Sequence, residues 1–158
     1  PADLGQGVCY ISIVPRHGQS HPPAKAFLKG LGLNRGTLAT TIAHDSHNII
    51  VTGHRVEDML LAVRELEACG GGIVLIDNGQ VLGKVELPLA GLMSFKSIPE
   101  LAEDMRLLNQ LVRELGVDHP AQALATTGLA LTVVPEIRMS DLGGLMNVAT
   151  QEFVRVFD

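Results

Sequence analysis

The run Asp77-Asn78-Gly79-Gln80 limits the fold more than any other stretch of this chain, because it separates two apolar, β-prone runs at residues 73–76 and 81–87. Asn-Gly is the two-residue signature of a type I′ hairpin, since both positions need positive φ. The flanking runs must then pair antiparallel, and a purely parallel sheet is excluded. Immediately upstream, Val56, Met59, Leu60, Val63 and Leu66 follow the spacing of one helix face over residues 55–68. Glu57 and Asp58 fall in its first turn, where the helix dipole favours acids, and Gly70-Gly71-Gly72 stops it. A second helix is predicted over 98–115: Ser97 and Glu100 form a capping box with Pro99 in the first turn, and Leu101, Met105, Leu108, Val112 and Leu115 make one stripe before Gly116.

The other elements follow from shorter signals. Residues 8–14 are apolar on both alternating faces, which suits a strand buried on both sides, and Pro15 ends it. Residues 16–23 are a polar loop, and residues 24–28 read as a short helix closed by Gly30 and Gly32. Two β-prone runs, 38–42 and 49–51, flank a polar stretch. Further on the pattern predicts helix over 121–130, strand over 131–134, loop over 135–141 and a terminal strand over 152–157. Alternating strands and helices, with one obligatory hairpin, predict an α/β fold: a single domain spanning 1–158, a mixed β-sheet covered by α-helices. At 158 residues the chain is long enough for its own core. It is too short for an eight-fold β/α barrel, which takes about 250 residues. No repeat, linker or low-complexity segment marks a second domain.

Charge removes one class of partner. Twelve Lys and Arg stand against 17 Asp and Glu, a net charge of −5, with no basic cluster. Four Phe, one Tyr and no Trp leave little for base stacking, so no nucleic acid is expected. No apolar run reaches about 18 residues and no charged-then-apolar leader opens the chain, so neither a membrane nor a signal peptide is expected. The expected location is cytoplasmic, where Cys9 and Cys69 are reduced structural thiols. Pro1 in place of Met suggests a processed chain or an excised piece.

The densest polar feature is His44-Asp45-Ser46-His47-Asn48, set between two apolar runs. Two imidazoles three positions apart beside a carboxylate suit metal ligation, acid–base work or hydrogen bonding to a heterocycle. They also suit a plain connecting turn, where Asp, Ser and Asn bond their own backbone. A zinc site needs three or four ligands, and only two His and one Asp occur locally. Arg16-His17-Gly18 is a second candidate, in a loop leaving a buried strand. Gly70-Gly71-Gly72 follows a helix rather than preceding one, so it reads as a helix stop and not a phosphate cradle. Leu89-Ala90-Gly91-Leu92-Met93-Ser94 is a small-residue run suited to close packing or to a contact surface. The zinc deaminase pattern H-x-E with P-C-x-x-C is missing, as are the nucleophile-elbow, P-loop and dinucleotide-binding patterns.

Taken in order, Val14-Pro15-Arg16-His17-Gly18, Phe27-Leu28-Lys29-Gly30-Leu31-Gly32-Leu33, Ala43 to Val51 (AHDSHNIIV), Glu57-Asp58-Met59, Gly70-Gly71-Gly72 and Leu87 to Ser94 (LPLAGLMS) resemble the C-terminal domain of bacterial adenine deaminase, of the amidohydrolase superfamily. The resemblance runs from about residue 8 to 141. It implies hydrolysis of adenine, or a related purine, to hypoxanthine and ammonia. It also implies a divalent metal held by an amidohydrolase barrel of the same polypeptide, with no metal expected in this chain alone. The residues then implied are His44, Asp45 and His47 in catalytic support, and Arg16, His17, Ser46 and Asn48 at the substrate. In that picture Asp45 orients an imidazole. The resemblance further implies a homo-oligomer. The rival readings are a purely structural or oligomerisation domain, and a stand-alone purine-binding module.

Overall fold

The computed structural model describes residues 7–142 and 144–155. Strands β1 (Val8–Val14), β2 (Ala24–Lys29), β3 (Thr37–Thr40) and β4 (Ile49–Gly53) precede helix α1 (Val56–Ala68). Strands β5 (Gly72–Asp77) and β6 (Gln80–Glu86), helix α2 (Ile98–Glu114), and strands β7 (Ile137–Ser140), β8 (Gly144–Asn147) and β9 (Glu152–Val154) follow. The first six strands form one sheet in the order β2-β1-β4-β3-β5-β6, and the last three form a second sheet in the order β7-β8-β9. This is the expected α/β domain, with its hairpin and covering helices. The sheet expected to be mixed is instead two sheets, in which every ladder among the described residues is antiparallel.

Alternation of strand and helix coexists with antiparallel pairing because of one crossover. Both β4 and β5 run antiparallel to β3, which lies between them, so the β4–α1–β5 connection joins two parallel strands that do not touch. This is a split βαβ unit. It puts α1 on one face of the sheet, where Met59, Ala62 and Leu66 pack on Ala39, Val51, Val74 and Ile76. On the opposite face, Leu108, Val112 and Leu115 of the α2 segment pack on Leu38, Ile73, Leu75 and Val85. Adjacent residues of β5 therefore serve opposite cores, which is why that strand reads as an unbroken apolar run. At β1 only one face is fully buried: Cys9, Ile11 and Ile13 are buried, while Tyr10, Ser12 and Val14 are half-buried. Burial pushes the Cys9 thiol up to about 11, consistent with an inert structural thiol.

The hairpin forms as its turn dictates, with Asn78 at φ 49° and Gly79 at φ 76°. Asp58 adds something the helix dipole does not explain. Its buried carboxylate accepts hydrogen bonds from Asn78 N–H at 3.1 Å and Gly79 N–H at 2.8 Å, fastening the first turn of α1 to the β5–β6 turn. The capping box at α2 also forms: Ser97 N–H and Ser97 Oγ–H both donate to Glu100 Oε2, at 2.9 and 2.6 Å.

Four expectations about individual segments need correction. Residues 24–28 are not helix but strand β2, whose Ala24 and Ala26 point into a core with Ile11, Ile13 and Ile50 while Lys25 and Phe27 point out. The six-residue match to β1 outweighs the helix propensity of Ala, Lys and Leu in so short a segment. The helix expected over 121–130 is two 3₁₀ turns, Gln122–Leu124 and Thr127–Ala130. The strand expected over 131–134 is a turn closed by Val134 N–H to Leu131 O at 3.1 Å, with Val133 73% exposed. The segment expected as loop before Asp141 instead contains β7, whose Met139 packs with Ile50 and Ala26. The terminal strand is β9, and positions 156–157 of that expectation lie outside the described residues.

Candidate functional site at one end of the sheet

The β-ladder brings two distant loops together. Val14, the last residue of β1, pairs with Ile49, the first residue of β4. The chain leaving β1 through Arg16 and His17 therefore lies beside the chain entering β4 through residues 43–48. The latter loop is closed by His47 N–H donating to Ala43 O at 2.7 Å, with His47 itself at φ 51°. A non-glycine residue adopts that conformation uncommonly, and His, Asn and Asp are among those that do.

That closure sorts the predicted residues into two groups. His44 and Asp45 are at the exposed tip, and neither side chain has a hydrogen-bond partner among the described residues. The expected bond from Asp45 to an imidazole is not formed among the described residues, and Asp45 is exposed while His47 is half-buried. Ser46 and His47 are half-buried, and Asn48 is 1% exposed. Asn48 N–H points at Ser46 Oγ, 3.5 Å away.

Arg16 stitches this end together. Its backbone N–H donates to Asn48 Oδ1 at 3.2 Å, its Nε to His47 O at 2.6 Å, and its Nη2 to Ala90 O. His17 Nε2, in the tautomer that donates, reaches the same His47 carbonyl at 3.3 Å. Burial lowers the Arg16 pKa from its ordinary value, yet a guanidinium stays charged. Arg16 thus organises two loops through their carbonyls, while His17 stays exposed at the rim. Within this cluster the His47 ring carries one buried nitrogen, Nδ1, that has no hydrogen-bond partner.

Two contributors escaped the sequence reading. Asp141, in the β7–β8 turn, accepts a bond from Asn48 Nδ2 at 2.9 Å across 93 positions, and no local spacing signals that contact. The LPLAGLMS run takes part through its turn: Thr41 Oγ1 donates to Gly91 O at 2.6 Å and accepts from Gly72 N–H at 2.8 Å. A Cβ on Gly71 would sit 2.4 Å from Gly91 Cα, and one on Gly91 would sit 2.4 Å from Arg16 Nη2. Gly70-Gly71-Gly72 therefore does more than stop α1: it lets the LPLAGLMS turn close onto Arg16. A cleft of about 510 Å3 opens alongside, lined by Pro15, Arg16, Gly18, Thr41, Glu67 and Gly71. Among the described residues, no three His, Cys, Asp or Glu side chains converge as a metal site.

These features define the class first: an α/β domain of antiparallel sheets that gathers polar loops at one sheet end and has no ligand set of its own among the described residues. The family follows from comparison. The model of the adenine deaminase C-terminal domain matches residues 1–152, and the chain belongs to that family. The chain is 40% identical over 150 residues to adenine deaminase 2 of Carboxydothermus hydrogenoformans, covering 94% of this chain and 26% of the relative. It is 42% identical over 147 residues to the adenine deaminase of Bdellovibrio bacteriovorus, covering 93% and 25%. With the adenine deaminase of Clostridium botulinum it is 39% identical over 155 residues, covering 98% and 26%. The chain thus spans about a quarter of the length of the curated relatives it matches.

Proposed function

We propose that this chain is the C-terminal part of an enzyme that hydrolyses adenine to hypoxanthine and ammonia, and that the sheet end carrying Arg16, His17 and residues 43–48 faces its active site. Family membership and the names of the relatives support the reaction. In this reading the reacting centre, a divalent metal included, belongs to an amidohydrolase barrel of the same polypeptide, working in the cytoplasm.

The observation that carries the proposal is the unpartnered, buried Nδ1 of His47 beside an exposed, unengaged His44. A buried polar nitrogen without a partner costs free energy in the isolated fold, and a native structure that keeps one has a functional reason to look for at that position. His44 and His47 then donate to and accept from the heterocycle or the attacking water, while Arg16 and Asn48 hold the loop. Asp45, unengaged at the tip, is available to either. In a full-length chain carrying this domain, His44→Ala and His47→Ala should each lower kcat/KM by well over tenfold. Wild-type turnover in both variants, with unchanged folding, would sink the idea.

A second reading rests on a different surface. Tyr10, Val14, Phe27, Val56, Leu60 and Val63 line an apolar groove of about 450 Å3 between β1, β2 and α1. Val56 and Leu60 are each 55% exposed in the chain taken alone. Apolar surface of this kind marks interfaces. This favours a domain that seats the remainder of the polypeptide or a second copy, making a homo-oligomer.

A further inference from the structure

Asp141 lies in the turn that joins the last described strands to the candidate site. The turn is held on one side by Met139, 3% exposed in the core with Ile50, and on the other by Leu142 N–H donating to Ser140 Oγ at 3.2 Å. From this anchored position Asp141 Oδ2 accepts the hydrogen bond from buried Asn48 Nδ2 at 2.9 Å. The two ends of an amide are nearly the same size, so packing alone does not choose its orientation. An ionised carboxylate only accepts, so it selects the amide nitrogen on its own side and turns Oδ1 the other way. That oxygen receives the Arg16 backbone N–H, and Arg16 Nε in turn holds the His47 carbonyl at 2.6 Å.

We infer that Asp141 is a positioning residue for the histidine loop, acting through Asn48 and Arg16. The chain of contacts reaches His47, whose left-handed backbone is a conformation that surrounding structure must hold in place. The inference rests on the reading of His44 and His47 as substrate-facing groups.

The test uses a full-length chain carrying this domain, with activity measured per folded molecule well below the melting temperature. Asp141→Ala should lower kcat/KM by about tenfold to a hundredfold, as loss of a supporting hydrogen bond does around other sites. Asp141→Asn keeps one acceptor but adds a donor and so no longer selects the amide orientation, and its kcat/KM should fall between those of wild type and Asp141→Ala. If the alanine variant does not fold, Asp141→Ser carries the same expectation, because it stays polar but withdraws the acceptor from Asn48. In a ¹H–¹⁵N spectrum, the His47 ring signals should shift in the alanine or serine variant and return only in part in the asparagine variant. Wild-type kcat/KM in Asp141→Ala, while His47→Ala is slow, would overturn the positioning role and leave the functional reading standing. So would equal loss in all three Asp141 variants in step with lost stability, which marks a structural role only. If both histidine variants turn over as wild type, the functional reading falls and takes the positioning role with it.

Discussion

The carboxylate of Asp58 accepts two backbone N–H bonds from the β5–β6 turn and is 1% exposed beneath it. Its replacement takes a charged acceptor from both donors at once, although residues 78 and 79 themselves are exposed to water. Asp58→Ala should therefore destabilise the domain by about 2–4 kcal/mol. That corresponds to a melting temperature lower by roughly 5–15 °C for a chain of this size. Calorimetry decides, and a loss below about 1 kcal/mol would mean the turn holds its shape by its Asn-Gly backbone alone. At this scale the sequence shows residue types but not their partners. Asp58 was legible as a first-turn acid, yet its acceptors' donors come 20 and 21 positions later. Gly71 was legible as a helix stop, while the contact with Gly91 that requires a missing Cβ was not. Asn48 was legible as a turn residue, and its bond to Asp141 lies beyond any local pattern.

Among the elements, those with a strong period and explicit ends were the readable ones. Helices α1 and α2 and the β5–β6 hairpin match their predicted spans within a residue or two, because periodicity, caps and turn residues agree there. The α2 cap has a pH signature. The Ser97 hydroxyl, then the Ser97 backbone N–H, hold the Glu100 carboxyl below its ordinary value near 4.5. A lowered carboxyl stabilises the folded helix end above the ordinary value. That contribution is lost as the pH falls through the folded value. An NMR titration should show Glu100 titrating below pH 4.5, with the Ser97 amide signal moving in the same step. Titration at or above that value would contradict the cap. Short elements were not readable in the same way. Strand β2 carries helix-forming residues, and β7, β8 and β9 have only three or four residues each. Such segments become strands because a partner edge and a core accept them, which is information held elsewhere in the chain.

For the molecule as a whole, the apolar groove between α1 and the outer half of β1 and β2 has a measurable consequence. Sedimentation velocity on the 158-residue chain should show self-association, reduced by Leu60→Asp, which charges the groove at an exposed position. A clean monomer at all concentrations would count against the interface reading. Local signals determined a good deal of the protein. An Asn-Gly turn compels a hairpin, two apolar stripes compel helices, 158 residues forbid a full barrel, and the ordered motifs disclose the family. These are properties of contiguous residues, whose backbone preferences act over a few positions. The rest belongs to the tertiary structure. Pairing of Val14 with Ile49 sets Arg16 against the histidine loop, the crossover through α1 leaves room for β3 to pair antiparallel between β4 and β5, and Asp141 orients Asn48 from the β7–β8 turn. Each is a long-range contact, settled only when the cores on both faces of the sheet close together.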